Sequence, residues 1–177
     1  MKRLITFTLT TVALLCLAVA LPAGDALAQQ KQKVSFKTPP ENTKYTLQHI
    51  IDAGDAPGHQ VRVYEIHRTL GANAPMINGA KLKETWNRGL SDYTDNSGAN
   101  TNYTVYVLEN GDTFFARSTT LAQSTGGGKI TTSSAGTITG GTGKLVGIQG
   151  TARATGTADP KAGINENMTE IEYWIAK

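Results

Sequence analysis

Cysteine is almost missing from this chain: Cys16 is the one example in 177 residues, and it sits inside an apolar run near the start. A protein that begins after that run can form no internal disulfide and offers no thiolate as nucleophile or ligand, which excludes cysteine catalysis and cysteine-zinc sites together. Histidine is nearly as scarce. His49, His59 and His67 lie at no close chelating interval, and His59 and His67 on one strand would stand ~26 Å apart, so no metal site is predicted. An excess of charge of one sign is lacking too, with 17 basic against 14 acidic residues. The charges are interspersed without a Lys/Arg stripe, so nucleic acid is not expected as a partner. Finally, no segment past residue 28 keeps a helical period for three turns.

The first 28 residues do carry a pattern. Lys2 and Arg3 form a basic start, Leu4 through Leu21 an apolar run, and Ala26-Leu27-Ala28 a small-residue cleavage site, which together predict a signal peptide at 1–28. A retained membrane anchor is the rival, but the run is short for a span and its Ala-x-Ala exit favours cleavage. A lipoprotein signal is a second rival, and Leu15 stands before Cys16 where such signals carry a small residue. The expectation is therefore an exported protein, periplasmic or extracellular after cleavage near Ala28. Losing Lys2, Arg3 and Asp25 leaves 15 basic and 13 acidic residues, a nearly balanced domain. Its length fits one domain with a core that needs no metal or disulfide staple.

Residues 29–44 are polar, with Pro39-Pro40, and read as an exposed lead-in with an edge pairing at Val34 to Phe36. From Tyr45 to the end, at 45–177, short β-prone runs are broken by Gly, Asn, Asp and Pro. Eight are counted: Tyr45–Ile51, Val61–Leu70, Lys81–Tyr93, Tyr103–Glu109, Asp112–Leu121, Lys129–Ile138, Lys144–Thr155 and Thr169–Ala176. Eight short strands with turn signals between them predict an all-β sandwich or barrel. Asn110-Gly111 predicts a two-residue type I′ hairpin, which sets Val107 opposite Phe114, Tyr106 opposite Phe115 and Thr104 opposite Arg117. Both faces of that hairpin are apolar, so a helix, tail or second subunit is expected over the outer one.

Candidate site residues come from strand parity. In the third run every second residue gives Leu82, Glu84, Trp86, Arg88 and Leu90, a face assigned to the interior, against Lys81, Lys83, Thr85, Asn87, Gly89 and Ser91 outside. Glu84 and Arg88 lie ~13 Å apart along the strand, so each needs a partner on another strand, water or a ligand. In Val61–Leu70 one face carries Glu65 and His67 and the other Arg62, Tyr64, Ile66 and Arg68; which of these points inward is left open. With Tyr106, the candidates for ligand contact are Glu65, His67, Glu84, Trp86 and Arg88.

The glycine run Gly140-Gly141-Thr142-Gly143-Lys144-Leu145, followed by Gly150, is not a phosphate loop. Ile138 stands where the first glycine should be and Leu145 where Ser or Thr should follow the lysine; the dinucleotide fingerprint fails at Val146. No nucleotide is expected, and no Gly-x-Ser-x-Gly elbow occurs. The run instead resembles the glycine corner of the allene oxide cyclase and dirigent group, and Tyr106 to Asp112 with Phe114 to Arg117 is similar to the central hairpin of bacterial secreted members. That resemblance implies an eight-stranded antiparallel β-barrel of calycin type with a lumen, and a homo-oligomer, since plant members are often trimers. It implies no cofactor, and no catalytic residue of the plant cyclases finds a matching position.

Three functions follow as expectations. The first is a non-enzymatic binder of a small apolar or aromatic ligand in the lumen. The alternatives are an isomerase or cyclase acting on an unsaturated lipid or phenolic substrate, with Glu65, Glu84 or His67 moving a proton, and a structural module whose lumen is filled.

Overall fold

The computed structural model describes residues 30–159, 162 and 164–176; the expected signal peptide lies outside them. The elements are β1 (Gln32–Thr38), a 3-10 turn (Pro40–Asn42), β2 (Thr43–Asp52), β3 (His59–Thr69), β4 (Met76–Ile77), β5 (Ala80–Thr94), β6 (Ser97–Leu108), β7 (Thr113–Gly126), β8 (Lys129–Gly141), a second 3-10 turn (Gly143–Leu145), β9 (Ile148–Asp159) and β10 (Ile164–Ile175). All pairings are antiparallel, in the order β1-β10-β9-β8-β7-β6-β5-β3-β2, with β4 paired to β5 alone. The eight expected strands are present within a few residues. The sheet has ten.

One of the extra strands is the supposed lead-in. The edge pairing expected at Val34 to Phe36 is present and longer than expected: Gln32, Val34, Phe36 and Thr38 alternate with Lys31, Lys33, Ser35 and Lys37. The first set faces inward, with Phe36 7% and Thr38 2% exposed. The lysines face out to the glutamates of β10 in three ion pairs, Lys31–Glu172, Lys33–Glu170 and Lys37–Glu166, at 2.9–3.0 Å. Exposed pairs stabilise little, but a one-residue slip would bury the lysines, so the pattern fixes the register Val34↔Ile171. Among the described residues the backbone ladder does not continue from β1 to β2, so the sheet has two free edges. Side chains cross that seam, where Asn165 on β10 donates to the Tyr45 hydroxyl on β2 at 2.8 Å.

The hairpin between β6 and β7 corrects the expected register. Val107 pairs with Thr113, Tyr106 with Phe114 and Thr104 with Ala116. Gly111 is left-handed (φ 87°) while Asn110 is not, so a type I′ turn does not form. The Asn110 carboxamide instead accepts from the Asp112 backbone N–H at 3.1 Å, and Gly111 N–H bonds to Leu108 at 3.0 Å. The longer loop shifts the partner strand by one residue. Its consequence is the inward Tyr106–Phe114 stack, with ring centroids 4.3 Å apart.

That stack belongs to a dry core at one end of the curled sheet. Ile77, Leu82, Phe114, Leu145 and Ile171 are each 0% exposed there, and Leu108, Ile138, Ile148 and Tyr173 pack with them. The glycine corner acts as a turn, as expected: it supplies Leu145 to the core, and its Lys144 carbonyl accepts from Asn78 beside β4 at 3.0 Å. The outer face of β2 to β7 keeps Leu47, Val63, Leu90, Tyr103 and Leu121 exposed, and among the described residues nothing covers it.

Candidate functional site

A single extra residue in β5 decides what the interior contains. Leu82 pairs with Leu108, but Glu84 pairs with Val107, so Lys83 is a bulge. Leu82 is inward, as the alternation predicts, and beyond the bulge the parity inverts. Thr85, Asn87, Gly89, Ser91 and Tyr93 then face inward, and Glu84, Trp86, Arg88 and Leu90 outward. Strand β3 follows through its pairs Glu65↔Arg88 and His67↔Trp86, which puts Glu65 and His67 outside and Arg62, Tyr64, Ile66 and Arg68 inside. The interior assignment of Glu84, Trp86 and Arg88 is thereby reversed, and the open choice for β3 is decided against Glu65 and His67. Of the six candidates only Tyr106 points inward.

The other five do come together, on the outer surface. Arg88 Nε donates to Glu65 Oε2 at 2.6 Å, and Thr46 Oγ1 donates to Glu65 Oε1 at 2.6 Å. His67 Nε2 lies 3.0 Å from Glu84 Oε2 and its ring stacks on Trp86 with centroids 4.1 Å apart. Arg88 lies over the other ring of that pair, 5.6 Å from the Trp86 centroid. The Thr46 bond first, and then Arg88, hold the Glu65 carboxyl below the usual range. At Glu84 burial works the other way, but bonds to His67 and Trp86 outweigh it and lower its pKa. Glu84 and Arg88 thus have cross-strand partners on the outer face, not the inward one for which partners were expected, and the pairs tie β3 to β5. Among the described residues no three His, Cys, Asp or Glu side chains gather as a metal set.

The inward face above the dry core holds a cavity of about 150 Å³. Its floor is polar and self-satisfied. Asn102 accepts from Asn87 and Ser118 at 3.0 and 2.7 Å and donates to Asn100 and Thr120 at 2.9 and 3.1 Å. Asn100 in turn accepts from the Tyr64 hydroxyl at 3.2 Å and donates to that of Tyr93 at 2.8 Å. Burial pushes the phenols of Tyr64 and Tyr93 up and that of Tyr106 up to about 12. These three therefore stay protonated at neutral pH and serve as neutral donors.

Three arginines line this cavity, Arg62, Arg68 and Arg153; Arg153 pairs in register with the outward Glu170, and the other two lie on the inward face of β3. Arg62 donates to Gln48 at 3.2 Å and lies over the rings of Tyr64 and Tyr45, 5.2 and 5.8 Å from their centroids. Arg68 is more deeply enclosed. Its Nη2 donates to Asn165 at 3.3 Å, while its buried Nε finds no protein acceptor. Burial draws its pKa down, and the nearby tyrosines oppose the shift; a guanidinium starting so high keeps its proton. Among the described residues the one carboxylate at the cavity is Glu166, already bonded to Lys37 at 2.9 Å and Thr157 at 3.0 Å. Alternation displayed Arg62, Tyr64, Ile66 and Arg68 as one face of β3, but no sequence signal marked the bulge at Lys83 that turns that face inward.

Fold and cavity define a class: an all-β protein whose curled antiparallel sheet holds a small, polar, cationic interior. No family model matches the chain, and no curated protein matches it. Among solved structures it is similar to a pterocarpan synthase dirigent protein, at 16% identity over 85% of this chain and 91% of that one, with a TM-score of 0.46. What this interior can do follows from its own side chains.

Proposed function

We propose that this is an exported β-barrel protein that binds a small, single-ring molecule in its lumen and does not transform it. The observation that carries the reading is the cavity of about 150 Å³ between a dry core and a hydrogen-bonded polar floor. That volume is the size of an apolar protein cavity that takes up benzene, which favours one ring over a long lipid chain. Tyrosine rings supply contact area and fixed amides supply orientation, the usual division of labour in a small-molecule pocket. A fully packed structural module would leave no such space.

The isomerase reading loses its residues. Glu65, His67 and Glu84 face away from the cavity, and the inward phenols of Tyr64, Tyr93 and Tyr106 hold their protons. Proton transfer at neutral pH works best with a group that titrates near neutrality, and the inward tyrosines and arginines do not provide one. Export by the predicted signal peptide, and a homo-oligomer that covers the exposed outer face, belong to the same reading.

The test is native mass spectrometry of protein from its own host beside an Ala154→Phe variant, which places a ring in the cavity. A small molecule retained by the parent and lost from a folded variant is the expected result. Equal retention by both would place the ligand elsewhere and overturn the reading.

A further inference from the structure

We infer that the lumen's ligand carries an anionic group, and that Arg68 is the residue that receives it; the class of ligand is a monocyclic aromatic carboxylate. The inference rests on the lumen reading and narrows it.

A guanidinium presents five N–H donors in a planar fork that matches a carboxylate. At Arg68 one nitrogen is bonded to Asn165, and the enclosed Nε is offered to no protein acceptor. Proteins that enclose an arginine for structural reasons pair it with a carboxylate or saturate it with carbonyls, because the unpaired charge is expensive. Here the lining has polar groups to spare, yet the Asn87, Asn100 and Asn102 amides bond with one another and with hydroxyls. None turns to Arg68. Glu166, the one carboxylate at the cavity among the described residues, is held by Lys37 and Thr157.

The second cation extends the argument. Arg62 and Arg68 share the inward face of β3 six residues apart, so their Cα atoms are ~20 Å apart along the strand. One ring does not span that distance. Arg68 is therefore the partner of the anion, and Arg62, resting on Tyr45 and Tyr64, draws an anion into the cavity electrostatically. Tyr64 and Tyr106 line the cavity together with Arg68, and their rings form the walls for an aromatic body.

The probe pair is 4-hydroxybenzoate and its neutral analogue 4-hydroxybenzyl alcohol, titrated into the full mature chain with calorimetry and with NMR of the tyrosine side chains. The expected result is that the acid binds at least tenfold more tightly than the alcohol. In Arg68→Gln that preference disappears while the alcohol's affinity holds; Arg68→Lys keeps part of it, because the charge remains without the fork. Arg62→Gln weakens the acid less and flattens its dependence on salt. Equal binding of both probes to the parent would overturn the anion inference and leave the lumen reading standing. Binding of neither probe would overturn both, and so would binding unaffected by Ala154→Phe. Should Arg68→Gln fail to fold, the Arg68→Lys and salt measurements decide the same question.

Discussion

Replacing Arg68 by methionine should stabilise the ligand-free protein while abolishing its preference for an anion. Methionine follows arginine as far as the Nε position, ends there, and fills irregular space without a charge. The substitution removes an enclosed guanidinium whose Nε has no protein acceptor, and an unsatisfied buried polar group costs about 1–3 kcal/mol, more when it is charged. Against this stands the bond to Asn165, long at 3.3 Å, for which a net of about 1 kcal/mol is fair. Asn165 keeps its Nδ2 bond to Tyr45, while the Oδ1 that accepted from Arg68 loses its donor, a loss counted in that net. The balance is a gain of up to about 2 kcal/mol, which for a domain of this size raises Tm by up to roughly 8 °C. Urea denaturation gives the cleanest reading: the midpoint should rise with an unchanged slope. A fall equivalent to about 1 kcal/mol or more would mean that the guanidinium holds the fold together, and the argument for a ligand-facing charge would fail. Sites shaped for function commonly sit at such a cost to stability.

Three further outcomes follow from the geometry. Glu84→Gln should leave lumen affinity unchanged and stability within about 1 kcal/mol, the scale of a partly exposed pair; a tenfold loss of 4-hydroxybenzoate affinity would contradict the outward placement of Glu84. Gly89→Ala should destabilise by about 1–3 kcal/mol, because an added Cβ would stand 2.6 Å from the Tyr64 hydroxyl and 2.9 Å from Asn102 Cβ; a neutral result in urea denaturation would show that Tyr64 leaves its bond to Asn100 readily. His59 bonds to Asp92 at 2.7 Å and to Asp55 at 2.5 Å, and these bonds, Asp92 first, raise its pKa. Its contribution is complete below the unfolded value of about 6.5 and is lost as pH rises through the higher folded value. Asp55 is lowered by the bond to His59, so its own contribution is present above about 3.9 and lost as pH falls through the depressed value. Amide protection of residues 53–58, corrected for intrinsic exchange, should therefore fall on the alkaline side of neutrality. His59→Gln should erase that dependence.

The sequence by itself determined eight of the strands, where the chain turns between them and the nature of the glycine corner, because each follows from local chemistry; the turn type at Asn110-Gly111 it did not determine. Period-two alternation and glycine or asparagine breaks act over a few residues, and all eight expected strands formed around them. The same local pattern marked an edge pairing at Val34 to Phe36, and the structure extends it over Gln32–Thr38. The need of Glu84 and Arg88 for partners was argued from an inward placement, and the structure turns both outward. Only the tertiary structure decided which face is the inside. One bulged residue, Lys83, inverts every side chain after it in β5, and pairing passes that inversion to β3. Glu65, His67, Glu84, Trp86 and Arg88 thereby become a surface clasp, and Arg62, Tyr64 and Arg68 become the walls of the cavity. A bulge depends on how two strands meet, not on the composition of either, so the charge that faces the lumen was in plain view in the sequence without its direction.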